Sequence, residues 1–140
     1  MPAPKRAEPP ARIHINYAAP TVDGGKYPAK RCVGDTVTVT ADVFRDSHEM
    51  LRAAVRYKAP GATRWLEAPM HQVDAHINGV HWEAEFTVET PGSWEWTIEA
   101  WTDRFATWRD ELQRKHAAGQ DDLAGEISEG IVLLEDAANR

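Results

Sequence analysis

The chain of 140 residues contains a single cysteine, Cys32, and that scarcity removes two kinds of stabilisation. No internal disulfide can close, and one thiol does not make a zinc cluster. Long apolar runs are missing too. The N-terminal MPAPKRAEPPAR carries basic residues without an apolar h-region, so neither a signal peptide nor a membrane-spanning helix is expected. An excess of positive charge is also lacking. The formal net charge is -6, whereas a nucleic-acid backbone calls for a basic face. Neither nucleic acid nor membrane is expected as a partner, and the cytoplasm is the default compartment. Repeats and low-complexity segments do not occur.

What is present is ordinary globular material: 42% hydrophobic and 27% charged residues, enough length for one domain with a real core. Residues 1–11 hold four prolines and no periodicity, the composition of a disordered leader. Residues 12–103 alternate as strands do. RIHIN sets Ile13 and Ile15 against polar neighbours. TVTVTADVF puts Val37, Val39, Ala41 and Val43 on one face, with Thr36, Thr38, Thr40 and Asp42 on the other. Leu51, Ala53, Val55 and Tyr57 repeat the pattern. So do Val80, Trp82, Ala84, Phe86 and Val88, then Trp94, Trp96, Ile98 and Ala100. One apolar and one wet face per strand, with turns at DGG, KAPGATR, HINGVH and ETPGS, predict an immunoglobulin- or fibronectin-like antiparallel β-sandwich.

After Asp103 the period changes. Phe105, Trp108 and Leu112 recur at helical spacing. Asp103 or Thr102 suits the N-cap of a helix over 104–118, and Gly119 stands where a C-terminal cap belongs. Asp121 and Asp122 can open a second helix whose Leu123, Ile127, Ile131 and Leu134 share a stripe. The reading is a helical hairpin over 104–137, appended to the sandwich. Its apolar faces need a partner, either another subunit or a following domain.

Candidate chemistry is sparse. His71, His76 and His81 are spaced five apart around Asp74, a pattern that fits solvated hairpin histidines better than a metal site. Glu83, Glu85 and Glu89 share a face but fall on the wet side of a strand. DGGKYP lacks the phosphate-loop pattern and reads as a turn that positions Tyr27 and Lys30. No Ser-His-Asp or Cys-His arrangement stands out. No catalytic residue, metal ligand or cofactor site is assigned. Of the six tryptophans, Trp82, Trp94 and Trp96 occupy the inward register and are expected in the core. Trp65 and Trp101 are the candidates for exposure and for stacking on sugar rings. Trp101, Phe105 and Trp108 also suit a structural anchor for the hairpin.

Two blocks resemble one family. TVDGGKYPAKRCVGDTVTVTADVFRDSHEMLRAAVRYK, residues 21–58, resembles the opening of the N-terminal domain of bacterial maltose-1-phosphate-dependent α-1,4-glucan maltosyltransferases. These are large enzymes of the α-amylase superfamily. WEWTIEAWTDRFATWRDELQRKHAAGQDDLAGEISEGIVLL, residues 94–134, resembles the end of that domain. Ser47 departs from the pattern, which has glycine before His48. The resemblance implies a sandwich that precedes a (β/α)8 catalytic barrel and a transfer of maltosyl units from α-maltose 1-phosphate to α-1,4-glucan with retention. That chemistry needs a carboxylate nucleophile and an acid/base about 5 Å apart. Both belong to the barrel, for which about 250 residues are typical.

The expectation is therefore an N-terminal piece of an enzyme, itself without activity, serving dimerisation and interdomain packing. Its expected partners are a second copy and the barrel of the parent chain; α-glucan and maltose 1-phosphate belong to the parent enzyme. The interface candidates are Trp101, Phe105, Trp108, Leu112, Leu123, Ile127, Ile131 and Leu134. The alternative is an α-glucan-binding module with contacts at Trp65 and Trp101. A free-standing interaction domain unrelated to sugar metabolism is the reading that the resemblance disfavours.

Overall fold

The computed structural model describes residues 13–46, 49–74 and 79–139. The leader expected over 1–11, Ser47 and His76 lie outside the described residues. Among those described, seven strands come first: β1 (Ile13–Ala19), β2 (Thr36–Arg45), β3 (Leu51–Lys58), β4 (Leu66–Pro69), β5 (His71–Gln72), β6 (His81–Thr87) and β7 (Glu95–Thr102). Helices α1 (Arg104–Ala117) and α2 (Ala124–Ala138) follow. The strands make a four-stranded sheet in the order β1-β2-β6-β5 and a three-stranded sheet in the order β4-β3-β7. This is the mostly-β sandwich with a C-terminal helical hairpin that the alternation predicts.

Register explains the core. Antiparallel pairing sets Val37 opposite Phe86, Val39 opposite Ala84 and Ala41 opposite Trp82, so the apolar faces of β2 and β6 coincide. All six of these residues are buried, as are Val43, Val55 and Val88. Tyr57 of β3 stacks on Phe86 with ring centroids 4.6 Å apart, joining the two sheets. Burial of each large side chain stabilises the fold by about 1.5–3 kcal/mol relative to exposure.

Three details depart from the pattern. Strands β4 and β5 have no counterpart in the alternation, because four and two residues are too few to show a period. β4 pairs with β3 and β5 with β6, so the chain passes from one sheet to the other at buried Met70, whose N–H donates to Ala53 O at 2.9 Å. β1 is an edge strand whose pairing shifts between Asn16 and Ala19, where Tyr17 has φ 56°. Such a bulge bends the strand locally; Ile15, still paired with Val43 ahead of it, is exposed on this edge strand. Finally, Trp82 is buried, but Trp94 and Trp96 are only half-buried. Their inward register is as expected; β7 is the edge of its sheet, which leaves one flank of the pair uncovered.

The described residues fall into two compact units. One comprises 13–46, 53–74 and 79–100, and holds the sandwich. The other comprises 49–52 and 101–139, and holds both helices.

Candidate functional site

In the helical unit, Asp103 converts strand into helix. Its backbone is extended (φ -82°, ψ 95°), and its Oδ1 accepts from the Ala106 N–H at 2.9 Å, the cap expected from sequence. Its Oδ2 accepts from Arg52 Nε at 2.6 Å. The Asp103 N–H donates to Met50 O at 2.8 Å, and the Met50 N–H donates to Thr107 Oγ1 at 2.9 Å. Thr107 Oγ1 in turn donates to Asp103 O at 2.8 Å. Burial alone would raise the Asp103 carboxyl. The Ala106 N–H, the Arg52 guanidinium and the charge of Arg109 outweigh that and hold it below its ordinary value.

At its far end α1 stops at Gly119, φ 83°, where the Gly119 and Gln120 N–H groups donate to His116 O and Lys115 O. Asp122 Oδ1 then accepts from the Ala124 N–H at 3.2 Å, one residue ahead of Leu123, the N-cap of α2, which itself offers no side-chain cap. The helices meet through Trp108 and Gly130. A Cβ on Gly130 would lie 2.1 Å from Cζ2 of the indole, so only glycine admits the ring there. Trp108 Nε1 donates to Glu126 O at 2.5 Å, and Lys115 Nζ reaches Glu126 Oε1 at 2.7 Å. The hydrogen bond between these side chains is the main force that raises the Lys115 ammonium and lowers the Glu126 carboxyl.

This packing divides the faces of α2. Leu123, Glu126, Gly130 and Leu133 are buried or half-buried. Ile127, Ile131 and Leu134, three of the four residues of the expected stripe, are 51%, 52% and 54% exposed. Trp101 and Phe105 are exposed as well, while Leu112 is half-buried. Phe105 tilts against Trp108 at 5.5 Å and lies under the Arg109 guanidinium at 6.0 Å. Trp108 is thus an anchor inside the hairpin, and the residues beside it present apolar surface. Sequence reading missed Gly130, Arg52 and Met50. A glycine inside a helix costs about 1 kcal/mol relative to alanine, and that was the available signal for Gly130.

In the sandwich unit the remaining candidates are spread out. His81 Nδ1 lies 2.7 Å from Asp42 Oδ1, and the His81 N–H donates to Asp74 Oδ1 at 3.0 Å. His71 Nε2 lies 3.6 Å from Glu83 Oε1. Glu85 accepts from Thr38 Oγ1 at 3.5 Å, and Glu89 is exposed. These pairs form a polar ladder on the outer face of β2, β5 and β6. Among the described residues no three His, Cys, Asp or Glu side chains are grouped to hold a metal ion. Trp65 is half-buried under the Lys58 ammonium, 4.9 Å from its ring centroid. No described helix is long and apolar enough to cross a membrane.

Comparison with known proteins adds the family. Residues 11–140 match the family described as alpha-1,4-glucan:maltose-1-phosphate maltosyltransferase, domain N/S. The enzyme of that name from Chlorobaculum tepidum is 38% identical over 100% of this chain and 21% of its own length. Those from Myxococcus xanthus and Rhodospirillum rubrum are 42% and 38% identical over 91% and 89% of this chain, each over 19% of its own length. The chain spans about a fifth of the curated relatives it matches.

Proposed function

This chain belongs to the domain N/S family of the α-1,4-glucan:maltose-1-phosphate maltosyltransferases, and from that premise we propose that it is a non-catalytic, dimerising N-terminal domain. Its parent is an α-amylase-superfamily enzyme of the cytoplasm that transfers maltosyl units from α-maltose 1-phosphate to a growing α-1,4-glucan such as glycogen. The chemistry resides in the catalytic barrel of the parent chain, and this domain packs against that barrel and against a second copy of itself.

One observation carries the dimer reading: the outward stripe Ile127, Ile131 and Leu134, each more than half exposed on a helix whose other face is already occupied by Trp108. Three large apolar side chains in a row favour association, and a self-complementary two-fold pairing is the commonest outcome. Trp101, Phe105 and Leu112 extend the candidate surface within the same unit. The non-catalytic reading is supported by the carboxylates at hand. Glu83 and Glu85 sit in a strand ladder beside His71 and Thr38, whereas retaining transfer uses two carboxyls facing one bond at about 5 Å.

Light scattering on the purified chain tests the first half, with twice the chain mass expected. Incubation with α-maltose 1-phosphate and maltohexaose tests the second, with no phosphate released. Turnover that disappears in Glu83→Gln or Glu85→Gln would show that the chain is itself a catalyst.

A further inference from the structure

The edges of the two sheets are not alike. An edge strand presents a row of unpaired backbone N–H and C=O groups, and native edges are blunted by shortness, proline, lysine or a bulge. β5 has two residues, and β4 has four and ends on Pro69. β1 carries the register shift around Tyr17. β7 has none of these devices. It runs for eight residues, EWTIEAWT, without proline, lysine or a positive φ. Its two acids are engaged across the sheet, Glu95 with Lys58 at 3.5 Å and Glu99 with Arg56 at 3.4 Å. Among the described residues its neighbour in the sheet is β3 alone, so residues 95–100 of the sandwich unit keep an edge ready to pair.

Topology says what belongs there. An immunoglobulin sandwich orders its strands A-B-E-D in one sheet and C-F-G in the other, with C′ added beside C in some members. In chain order, β1-β2-β6-β5 is A-B-E-D, and β4-β3-β7 is C′-C-F. Strand G follows F in the chain and pairs along its outer edge. Here the chain enters α1 after F, and none of the described strands stands at G. A second observation lies beside the start of β7. A cleft of about 1040 Å³ is lined by the segment after β1, including part of the DGGKYP turn, and by Trp94 and Trp96. Val37, Phe86 and Val88 of the buried core line it too. Space of this kind between two sheets is filled by the inward side chains of their strands. We propose that the free edge of β7 receives strand G from the stretch of the parent chain between α2 and the barrel. It runs antiparallel to β7, and its alternate apolar side chains enter the cleft. The helical hairpin then lies in the connection between F and G. This rests on the reading above that the chain is one piece of a longer enzyme.

The test compares amide exchange in the 140-residue chain and in the full-length parent. Successive N–H groups of a strand point to opposite edges, so in the dilute 140-residue chain every second amide over 95–100 should be protected by β3 and the rest should exchange at nearly intrinsic rates. In the parent the outward set should gain about a hundredfold or more in protection. Ile131→Asp in the parent should leave that gain in place. Thr97→benzoylphenylalanine in the parent should cross-link, on illumination, to one segment of the same chain between α2 and the barrel. Outward amides that are equally fast in both proteins, or cross-links confined to the barrel, would overturn the proposal. So would protection that rises with the concentration of the 140-residue chain or vanishes with Ile131→Asp, since a second copy would then cover the edge. A monomeric parent with a protected β7 refutes the dimer reading alone; a dimeric parent with an unprotected β7 refutes strand G alone.

Discussion

In the sandwich unit the largest fully buried side chains are Val39, Val43 and Val55; in the helical unit the one buried residue among those described is a glycine, Gly130. The first unit faces apolar strands towards each other and excludes water from a core of its own. The second is fixed by a capped junction, one indole seated on one glycine and a few charged pairs, while its large apolar side chains stay half in water. Stability and association are thus assigned to different regions. Core substitutions should unfold the sandwich, and substitutions on the α2 stripe should change the assembly with little effect on folding.

The largest effect is expected at Trp82. Trp82→Ala should lower stability by about 3–5 kcal/mol, as truncation of a buried aromatic does. Trp96→Ala should cost less, about 2 kcal/mol, because Trp96 is half-buried. Urea midpoints check both, and equal losses would show that the edge strand β7 is as well packed as β6. Next comes the hairpin. Gly130→Val should destabilise it by about 1–3 kcal/mol through the collision with Trp108. Adding Trp108→Ala should recover part of the loss. Amide exchange in α1 and α2 is the readout, with protection in β2 and β6 unchanged.

The junction should respond more mildly. Asp103→Ala removes the cap of α1 and should cost about 1–2 kcal/mol. Because folding depresses the Asp103 carboxyl below its ordinary 3.8, its contribution is complete above that value and is lost as pH falls through the lower, folded value. The protection of the Ala106 amide, its exchange measured against the intrinsic rate at each pH, should fall on acidification in the wild type and become insensitive to this titration in Asp103→Ala.

The same division explains what could be read from sequence. Period-two runs such as Val37 to Val43 and Trp82 to Val88 were legible because each is long enough to show its face and pairs with another of the same kind. The strand-to-helix switch was legible through Asp103, and the hairpin turn through Gly119. Legibility failed where a contact depends on shape or on distant segments. Leu66–Pro69 and His71–Gln72 are too short for periodicity. The half-burial of Trp94 and Trp96 depends on their position at a sheet edge, which alternation does not encode. The inner face of α2 is built on a glycine, which carries no hydrophobic signal, so the apolar stripe drew the eye to the outer face instead. The cleft joins the DGGKYP turn to residues almost seventy positions away, and only the turn itself could be recognised in advance.

The claim that α2 presents an assembly seam is tested most directly by sedimentation velocity over a range of concentrations, comparing the wild type with Ile131→Asp. Ile131 is already half exposed, so its replacement should change the urea midpoint by no more than about 0.5 kcal/mol. The wild type is predicted to pass from monomer to dimer as concentration rises, and Ile131→Asp to remain monomeric with the same circular dichroism. A wild type that stays monomeric throughout, or an Ile131→Asp chain that dimerises as readily, would contradict the account.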